Sequence, residues 1–589
     1  MKWVKLYLIS CALIQSSSLF AAEPSGSESI DNQKSVQEYF QQHHAIETSE
    51  SIYSPHEGVH FNVYNSRVKE WLLRKWDHRT VSEIRSELKS LPEKPLYIPL
   101  TDKGFARAAT RDSDNDTTNY NAIWVRDAVW VYYSMVQERP EDAGKLIKAL
   151  WDYYGKSHQW QRMFNIFRNP SLATSSNPTD YMDVPHIRFD GDADDLRDVQ
   201  VCDEQGACKD QPWNHKQNDA HAMFITAVID AVERGLVSDE DLNDRRIKSL
   251  MFLGHFLSVI EYYNYADSGA WEEIARMNSS SIGLVANSFR QLSKVLAGEV
   301  QGTNLGAKMI AMRNSASTWG RDLGLSEGVL IPFKNTWMPD TITDLYRKGK
   351  DRVVRQIKMG GESPDYNPFT ENALYREADI ALSHLVVPGV KNSLFGNDPE
   401  QIRSILRIID VLRRPAGILR YEMDSYQSGN YWTTIHRGWD GYLGTEYDRI
   451  KPQDGKTSFL TRFFGPVIEN SEAQWFFDST VAMLYLRLYE LGDLGESQKV
   501  KDLHRATVHI KRAMAQFTGH HVPNRPEVHG ITADGKPVGP WLLPESINTL
   551  ILDGKRYLVP SPIVPLNWAK ASLGMAIDQY LKLVPKTEK

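Results

Sequence analysis

Apolar residues recur at helical spacing through most of the chain after residue 65. Between Pro140 and Tyr154, one helical stripe holds Ala143, Leu146, Ile147, Leu150 and Trp151 behind a proline that suits a first helical turn. The same periodicity predicts about a dozen helices in all. The others fall at 66–76, 126–137, 217–234, 244–264, 282–296, 303–316, 378–387, 398–412, 472–491, 496–516 and 564–582.

Strand patterns are few in this sequence. The clearest predicts a hairpin from Leu550 to Val559, with its turn at Asp553-Gly554. No Pro/Ser-rich linker interrupts the helical segments, and no repeat of fixed period is visible. We therefore expect one all-α domain over 66–589, a closed toroid of helices rather than a solenoid. Residues 23–65 are polar and are expected to form a loosely ordered leader.

The start of the chain has the form of a secretory signal. Lys2 and Lys5 precede an apolar stretch at 6–14, and small residues follow at 21–22. The stretch is too short to cross a bilayer, which takes roughly 18 residues or more. We expect residues 1–22 to be cleaved and the protein to be secreted or periplasmic. Within this segment, Leu8-Ile9-Ser10-Cys11 resembles a lipoprotein cleavage site, but its apolar core is short, so ordinary cleavage is favoured.

Composition narrows the classes of function. The chain has 68 Lys and Arg against 75 Asp and Glu, a net charge of −7, which argues against nucleic-acid binding. Its three cysteines cannot make a disulfide scaffold or a four-cysteine zinc site. Outside the cell, Cys202 and Cys208 can pair across a short gap, with two free thiols as the alternative. We expect no metal, no cofactor and no membrane contact after signal cleavage.

Several common functional motifs are incomplete or absent in this sequence. The segment 530–536 has the spacing of a phosphate-binding loop, but Pro537 stands where Ser or Thr is required. Two acidic runs, at 112–116 and 190–194, mimic calcium loops without the sixth-position Gly or the twelfth-position Glu. Zinc-type histidine pairs and a Gly-x-Ser-x-Gly nucleophile turn are absent from the sequence. The incomplete motifs argue against a nucleotide-binding, a calcium-binding and a serine-hydrolase function.

What remains is a set of segments, most of which combine Trp or Tyr with carboxylates just before a predicted helix. They are Trp124–Asp127, Trp213–Asp219, Asp267–Glu273, Arg420–Tyr426, Gly429–Trp432 and Leu543–Glu545. Aromatic faces cover the apolar face of a sugar ring, and charged groups bind its hydroxyls. For any one segment, a buried Trp beside helix-capping acids is the favoured explanation. Their number favours a sugar site.

Glycoside hydrolysis needs one carboxyl group to protonate the leaving oxygen and a second to activate water. The acid must retain its proton near neutral pH, and apolar surroundings raise a carboxyl pKa for that purpose. Glu272 follows Trp271, and Glu545 follows Trp541, Leu542 and Leu543. Both carboxylates therefore sit next to apolar residues and are the candidate pair.

In this order, the segments resemble glycoside hydrolase family 15: the glucoamylases, the glucodextranases and the N-terminal region of the phosphorylase kinase α and β subunits. The resemblance runs from about 104 to 584 and implies an (α/α)6 barrel with inverting exo-hydrolysis of α-glucans. It implies Glu272 as general acid and Glu545 as general base. The sugar-binding residues it implies are Trp124, Arg126, Asp127, Trp271, Glu273, Arg420, Asp424 and Trp568.

The sequence also departs from the glucoamylase pattern. About 40 residues separate Gly429–Trp432 from the segment 469–475, a spacing that resembles the kinase-subunit branch more closely. Glu472 is therefore an alternative general base, although an acid behind the cap Ser471 explains it too. The primary hypothesis is a glucoamylase-like hydrolase that acts on α-glucans as a monomer. Alternatives are a non-hydrolytic glucan-binding or regulatory protein, and another exo-glucosidase such as a trehalase or glucodextranase.

Overall fold

The structure is a computed structural model of the 589-residue chain. It describes residues 45–46, 50–109, 119–174, 182–202, 205–273, 275–367, 374–421, 424, 473–519, 532, 537–552 and 555–586. The expected signal segment, Glu472 and the segment Gly429–Trp432 lie outside these residues. Among the described helices, none is long and apolar enough to cross a membrane.

Helices make up most of the described chain. The α-helices of seven or more residues are, in order, α1 (Ser66–Leu73), α2 (His78–Ser90), α3 (Val125–Met135), α4 (Pro140–Tyr154), α5 (Ser157–Arg168), α6 (Asn218–Glu233), α7 (Asp244–Val259), α8 (Ser279–Leu296), α9 (Leu305–Asn314), α10 (Ala316–Asp322), α11 (Glu327–Thr336), α12 (Pro339–Met359), α13 (Pro399–Ile409), α14 (Asp478–Leu491), α15 (Glu496–Ala515) and α16 (Asn567–Leu583). A 3-10 helix, Ile380–Leu385, lies between α12 and α13.

Six of these elements form a closed inner ring. Going round the ring, α3 contacts α6, α6 contacts α8, α8 contacts the 3-10 helix, and that helix contacts α14; α14 then contacts α16, which returns to α3. Inner helices are buried on almost every side because they are surrounded by protein. In α3, the whole run from Ala128 to Tyr132 is fully buried.

Between consecutive inner elements, the chain passes through an outer helix. The outer helices are α2, α4, α7, α12, α13 and α15, and each packs on the outside of the ring. They are amphipathic: α12 buries a stripe that includes Ile342, Leu345 and Val353 and exposes its charged face. This alternation of inner and outer elements is an (α/α)6 barrel, so the predicted fold class is confirmed.

The structure adds helices that the periodicity did not predict, chiefly α2, α5, α11 and α12. In place of the helix expected over 378–387, the structure has a shorter 3-10 helix, Ile380–Leu385. There, the Asp379 carboxylate accepts a hydrogen bond from the Ala381 amide at 2.8 Å, which caps a tight turn.

The described strands are short and lie mostly in loops. They are β1 (Ala45–Ile46), β2 (Glu50–Ser54), β3 (Val59–Val63), β4 (Ile123–Trp124), β5 (Arg188–Phe189), β6 (Gln200–Cys202), β7 (Cys208–Asp210), β8 (Arg413–Arg414), β9 (Gly417–Ile418), β10 (Gln474–Trp475), β11 (Ser546–Leu552) and β12 (Lys555–Pro560). The hairpin predicted from Leu550 to Val559 is confirmed as β11–β12, with longer strands. Cys202 and Cys208 are joined by a disulfide between β6 and β7.

The expected leader, residues 23–65, extends too far along the chain, because its last part belongs to the domain. Strands β2 and β3 form a hairpin whose side chains Ile52, Phe61 and Val63 belong to the hydrophobic core. Between the two strands, Glu57 pairs with the buried Lys511 of α15 at 2.7 Å. The hairpin is therefore part of the packed domain, because its alternating apolar positions cover the outer face of the barrel.

One six-stranded sheet connects loops that are distant in sequence. Its order is β1-β12-β11-β10-β9-β8, and Trp475 of β10 pairs with both Ile418 of β9 and Ser546 of β11. Arg420 follows β9 and Glu545 precedes β11. The sheet therefore brings Arg420, Trp475 and Glu545 to the same end of the barrel.

Candidate active site

A cavity opens at the end of the barrel where the inner helices begin. Trp124 is the residue before α3, and Leu566 is the residue before α16. The described residues that line the cavity are Ala108, Tyr120, Trp124, Arg126, Asp127, Trp213, Ala270, Trp271, Glu272, Arg420, Trp475, Glu545, Leu566 and Trp568. Both candidate carboxylates thus face one space, surrounded largely by aromatic side chains.

Glu272 lies in the segment that leads into α8. Its backbone is left-handed, with φ 61° and ψ 31°, a conformation that a residue with a Cβ adopts only under local constraint. Its Oε1 accepts a hydrogen bond from the Trp124 indole at 2.9 Å and lies 3.8 Å from Nη1 of Arg126. Burial raises the pKa of Glu272, and these neighbours offset only part of the rise. A carboxyl group with a raised pKa retains a proton that it can donate.

Arg126 is held by a dense set of acceptors. Its guanidinium makes two hydrogen bonds to Asp219, at 2.6 and 3.2 Å, one to Gln217 at 2.5 Å and one to the Gly269 carbonyl at 3.2 Å. Arg126 and Asp219 are both fully enclosed. This network joins the first turns of α3 and α6 to the Glu272 segment, so it fixes one half of the site.

Asp127 follows Arg126 on the first turn of α3 and also lines the cavity. Burial, with a further contribution from Glu272, raises the pKa of Asp127 to about 7, although Arg126 acts in the opposite direction. The carboxyl group lies at a helix N-terminus, where acceptors and anions are favoured. Asp127 is therefore a polar group placed to bind a hydroxyl.

Glu545 stands at the start of β11 and is 4 % exposed. Its backbone amide donates to the Ile563 carbonyl at 2.9 Å, which fixes the main chain at the edge of the sheet. The Tyr120 hydroxyl donates to Oε1 of Glu545 at 2.8 Å. Tyr120 thus orients the second carboxylate, and its ring packs 5.3 Å from that of Trp124.

Aromatic rings form two walls of the cavity. On one side, the Trp271 and Trp568 rings stack at 17°, with centroids 6.4 Å apart, and the Trp271 indole donates to Asp379. On the other side, the Trp124 and Trp213 rings meet edge to face at 5.6 Å. The Arg188 guanidinium lies 3.9 Å from the centroid of the Trp213 ring. These are flat, rigid surfaces of the kind that a sugar ring contacts.

Two of the predicted sugar-binding residues lie behind the cavity wall. Asp424 is fully buried and makes two hydrogen bonds to Arg420, at 2.7 and 2.8 Å, so it orients the arginine that does line the cavity. Glu273 is 2 % exposed and is held by Arg376, Arg276 and the Tyr421 hydroxyl. Burial would raise the pKa of Glu273, but the surrounding arginines outweigh it and lower that pKa to about 2.

The remaining predicted residues come together: Trp124, Arg126, Asp127, Trp271, Glu272, Arg420, Glu545 and Trp568 all line the cavity. The alternative base Glu472 lies outside the described residues. Tyr120, Trp213 and Trp475 were not predicted as site residues. Trp213 and Trp475 stand in segments that also hold acids and amides, a usable signal, whereas nothing in the sequence around Tyr120 marks it.

His186, Asp198 and His215 form a buried cluster of metal-ligand type near β5. His186 and Asp198 are already engaged by hydrogen bonds and an ion pair, whereas Nε2 of His215 has no hydrogen-bond partner among the described residues. Nδ1 of His186 lies 2.5 Å from Asp198, its Nε2 lies 2.6 Å from the Met182 carbonyl, and Arg162 pairs with Asp198 at 3.0 Å. The cationic Arg162 and the occupied ring nitrogens of His186 suit a structural hydrogen-bonded pair better than a cation site.

The family model for glycosyl hydrolases family 15 matches residues 202–525, and the chain belongs to that family. It is a glycoside hydrolase by this relationship. The uncharacterized lipoprotein YgeQ of Escherichia coli K12 is 35% identical over 199 residues, which are 32% of this chain and 72% of that protein.

Two solved glucoamylases are also similar. That of Saccharomycopsis fibuligera has 14% identity and a TM-score of 0.44, over 89% of this chain and 99% of its own. That of Hypocrea jecorina has 12% identity and a TM-score of 0.44, over 86% and 73%.

Proposed function

We propose that the protein releases β-glucose from the non-reducing ends of α-glucans such as starch, glycogen and maltooligosaccharides by a single inverting displacement. The observation that carries this proposal is that Glu272 and Glu545 face one cavity and are held there by two separate parts of the structure. Arg126 and Asp219 hold the first carboxylate's segment, and the six-stranded sheet holds the second. Two rigidly held carboxylates across one aromatic cavity are the pair that glycoside hydrolysis requires, and their spacing selects between inversion and retention.

In this mechanism, Glu272 is the acid. Its carboxyl proton passes to the glycosidic oxygen as the bond from that oxygen to the anomeric carbon breaks. Burial raises the pKa of Glu272, which extends to higher pH the range in which the carboxyl group keeps its proton. The Trp124 indole fixes the carboxyl orientation through Oε1.

Glu545 is the base. It accepts a proton from a water molecule, and the oxygen of that water forms the new bond to the anomeric carbon on the face opposite the departing chain. One displacement inverts that carbon, so an α-linked substrate yields a β-product. Room for the water requires carboxyl groups about 6.5–9.5 Å apart. Tyr120 orients Glu545 for this role through its 2.8 Å hydrogen bond.

The other lining residues bind and orient the terminal sugar. Trp271 and Trp568 offer ring faces, while Arg126, Asp127 and Arg420 present polar groups to hydroxyls. Glu273 and Asp424 act indirectly, because they hold Arg420 and Tyr421 from behind the wall. We assign them as positioning residues rather than sugar ligands.

The protein is proposed to act outside the cytoplasm. The signal-like residues 1–22 support this location. The name of the YgeQ relative, a lipoprotein, also supports it. Cys11 is then the residue that lipid attachment would use, and mass spectrometry of the protein from its native host distinguishes an acylated Cys11 from a free N-terminus near residue 23.

The activity is tested by incubating the purified protein with maltotriose, isomaltotriose and trehalose and following glucose release. Proton NMR of fresh digests then distinguishes the anomers before mutarotation mixes them. We expect β-glucose from maltotriose. Early α-glucose would contradict inversion while leaving a glucosidase, and no glucose from any α-glucan would favour a binding or regulatory role.

A further inference from the structure

A second cavity lies on the side of the barrel, between α2, the loop at 94–98, the end of α3, and α16. Its volume is about 540 Å³. The residues that line it are Arg85, Leu88, Lys89, Lys94, Leu96, Tyr97, Ile98, Ser134, Met135, Glu138, Arg139, Lys570 and Gly574. It shares none of these with the candidate active site.

The cavity has more positive than negative charge. Five cationic side chains line it, Arg85, Lys89, Lys94, Arg139 and Lys570, against the single acid Glu138. Acids outside the lining neutralise some of the charge. Arg85 pairs with Asp578 at 2.9 Å, and Arg139 pairs with Asp142 at 2.6 Å.

Glu138 serves two of the cations, lying 2.6 Å from Lys89 and 3.1 Å from Arg85. Among the described residues, no carboxylate lies within ion-pair distance of Lys94 or Lys570. Counting Asp142 and Asp578 with Glu138, three acids face five cations, and 5 − 3 leaves an excess of two positive charges.

Lys570 is the more unusual of the two lysines. It is 7 % exposed, and its ammonium meets the Tyr97 carbonyl at the long distance of 3.4 Å. An ammonium has three donors, so this one contact leaves two of them without a partner among the described residues. Burial lowers the pKa of Lys570 to about 8, so most copies still carry a charge at pH 7. A buried charge without an anion is unfavourable, and a bound anion would relieve it.

The rest of the cavity is apolar. Leu88 and Met135 are almost fully buried and line its inner side with Leu96. The Tyr97 ring lies between two cations, 4.4 Å from the Arg139 guanidinium and 5.8 Å from the Lys94 ammonium. One part of the cavity therefore favours negative charge and another favours hydrocarbon.

We propose that this cavity binds a small organic anion, with its carboxylate or phosphate group between Lys94 and Lys570 and its apolar part against Leu88, Leu96 and Met135. The site lies outside the glycosidase cavity and does not depend on the proposed function. Lys570 lies two residues after Trp568 on the first turn of α16, so an occupied site is within one helical turn of the active-site wall.

The probe is phenyl phosphate, which combines a phosphate with an apolar ring. Its binding to the purified protein is measured by isothermal titration calorimetry at pH 7 and low salt. Inorganic phosphate and benzyl alcohol serve as probes of each half alone. We expect saturable 1:1 binding of phenyl phosphate, about threefold or more tighter than inorganic phosphate, and weaker binding as salt increases.

Substitutions then locate the site. Lys570→Met and Lys94→Met should each weaken phenyl phosphate binding about tenfold, because each removes a charge-assisted hydrogen bond. Lys501→Met changes an exposed lysine of α15 and should leave the affinity unchanged. Lys94 is exposed, so its variant tests the site even if Lys570→Met unfolds.

The proposal is overturned if wild-type protein shows no saturable binding up to about 10 mM phenyl phosphate, a weak affinity by any standard. It is equally overturned if Lys94→Met and Lys570→Met bind as tightly as Lys501→Met. Glucose release from maltotriose is measured on the same samples. If the wild-type protein binds phenyl phosphate but releases no glucose, the result counts against the proposed function and leaves the anion site standing.

Discussion

Trp124 donates its indole N–H to Oε1 of Glu272 at 2.9 Å, so a hydrogen bond joins the aromatic wall of the cavity to the proposed acid. The two residues come from different segments, one before α3 and one before α8. Since an N–H donated to a carboxylate stabilises the charged form, this bond opposes the effect of burial on the Glu272 pKa. The protonation of the proposed acid is therefore tuned by a tryptophan of the cavity wall.

Changing Trp124 should shift the pH dependence of the reaction. Glu272 must be protonated to act, so activity is present below its raised pKa and is lost as pH rises through that value. Trp124→Phe removes a donor to the charged form, which raises the pKa further and moves the alkaline limb of kcat/KM to higher pH. Trp213→Phe alters another cavity tryptophan without removing a bond to Glu272 and should leave that limb in place.

Glu272→Gln should reduce kcat by at least about 10²–10⁴-fold, because the amide has no proton to donate to the leaving oxygen. Binding of maltose, measured as an inhibition constant or by calorimetry, should change little. The exposed residue Glu299 provides the matched control, and Glu299→Gln should behave as wild type. Equal activity of Glu272→Gln and wild type would remove Glu272 from the mechanism.

Tyr120→Phe tests the support of the second carboxylate. The substitution retains the ring that packs on Trp124 and removes only the hydroxyl that donates to Glu545. We expect kcat to fall about tenfold with a small change in KM, since one hydrogen bond to a charged group is lost. A change in KM alone would indicate that Tyr120 contacts the sugar and does not orient the base.

Arg126 combines two roles that its substitutions should separate. Arg126→Ala leaves the Asp219 carboxylate buried without its partner, which costs about 3–5 kcal/mol of folding stability. Arg126→Lys keeps the charge but cannot form the two parallel hydrogen bonds, so we expect a smaller loss of stability and a clear rise in KM. Thermal unfolding and initial rates on the same samples make the comparison, with the exposed Arg355→Ala as control.

The hairpin outside the barrel should matter for stability rather than for catalysis. Glu57 and Lys511 form a buried pair at 2.7 Å, so Glu57→Gln leaves the lysine without its anion and should lower the free energy of unfolding by about 3 kcal/mol. The pair between Arg67 and Glu70 is exposed, and Glu70→Gln should change stability by less than about 1 kcal/mol. Chemical denaturation measures both, and equal effects would place the hairpin outside the cooperative fold.

Sequence periodicity identified the inner ring better than the outer one. Inner helices such as α3 and α6 are buried on almost every side, so their apolar signal is strong. The outer helices α2 and α12 are mostly polar, with a single buried stripe, and the periodicity did not single them out. The hairpin at β2–β3 was missed because two short alternating strands in a polar segment resemble a leader until their packing partner is known.

In the site, the sequence pointed to two carboxylates that line one cavity in the structure, but it could not tell which polar residues lie behind the cavity wall. Glu273 is adjacent to Glu272 in sequence, yet its side chain points into an arginine cluster behind the wall. Tyr120 reaches Glu545 across most of the chain, a contact that only the closed barrel creates. The local sequence pattern shows which residue types are present, whereas the closed ring of helices determines which of their side chains face the cavity.

The left-handed backbone of Glu272 has a consequence for how this protein changes under selection. Glycine adopts that conformation without penalty, whereas Glu272 needs the Trp124 hydrogen bond and the nearby Arg126 to offset the burial of its carboxyl group. A search for heat resistance alone would tend to accept Glu272→Gly and lose hydrolysis with it. On the proposed function, we expect lineages that keep hydrolysis to keep Glu here, and replacement by Gly to mark descendants that kept the barrel and lost the activity.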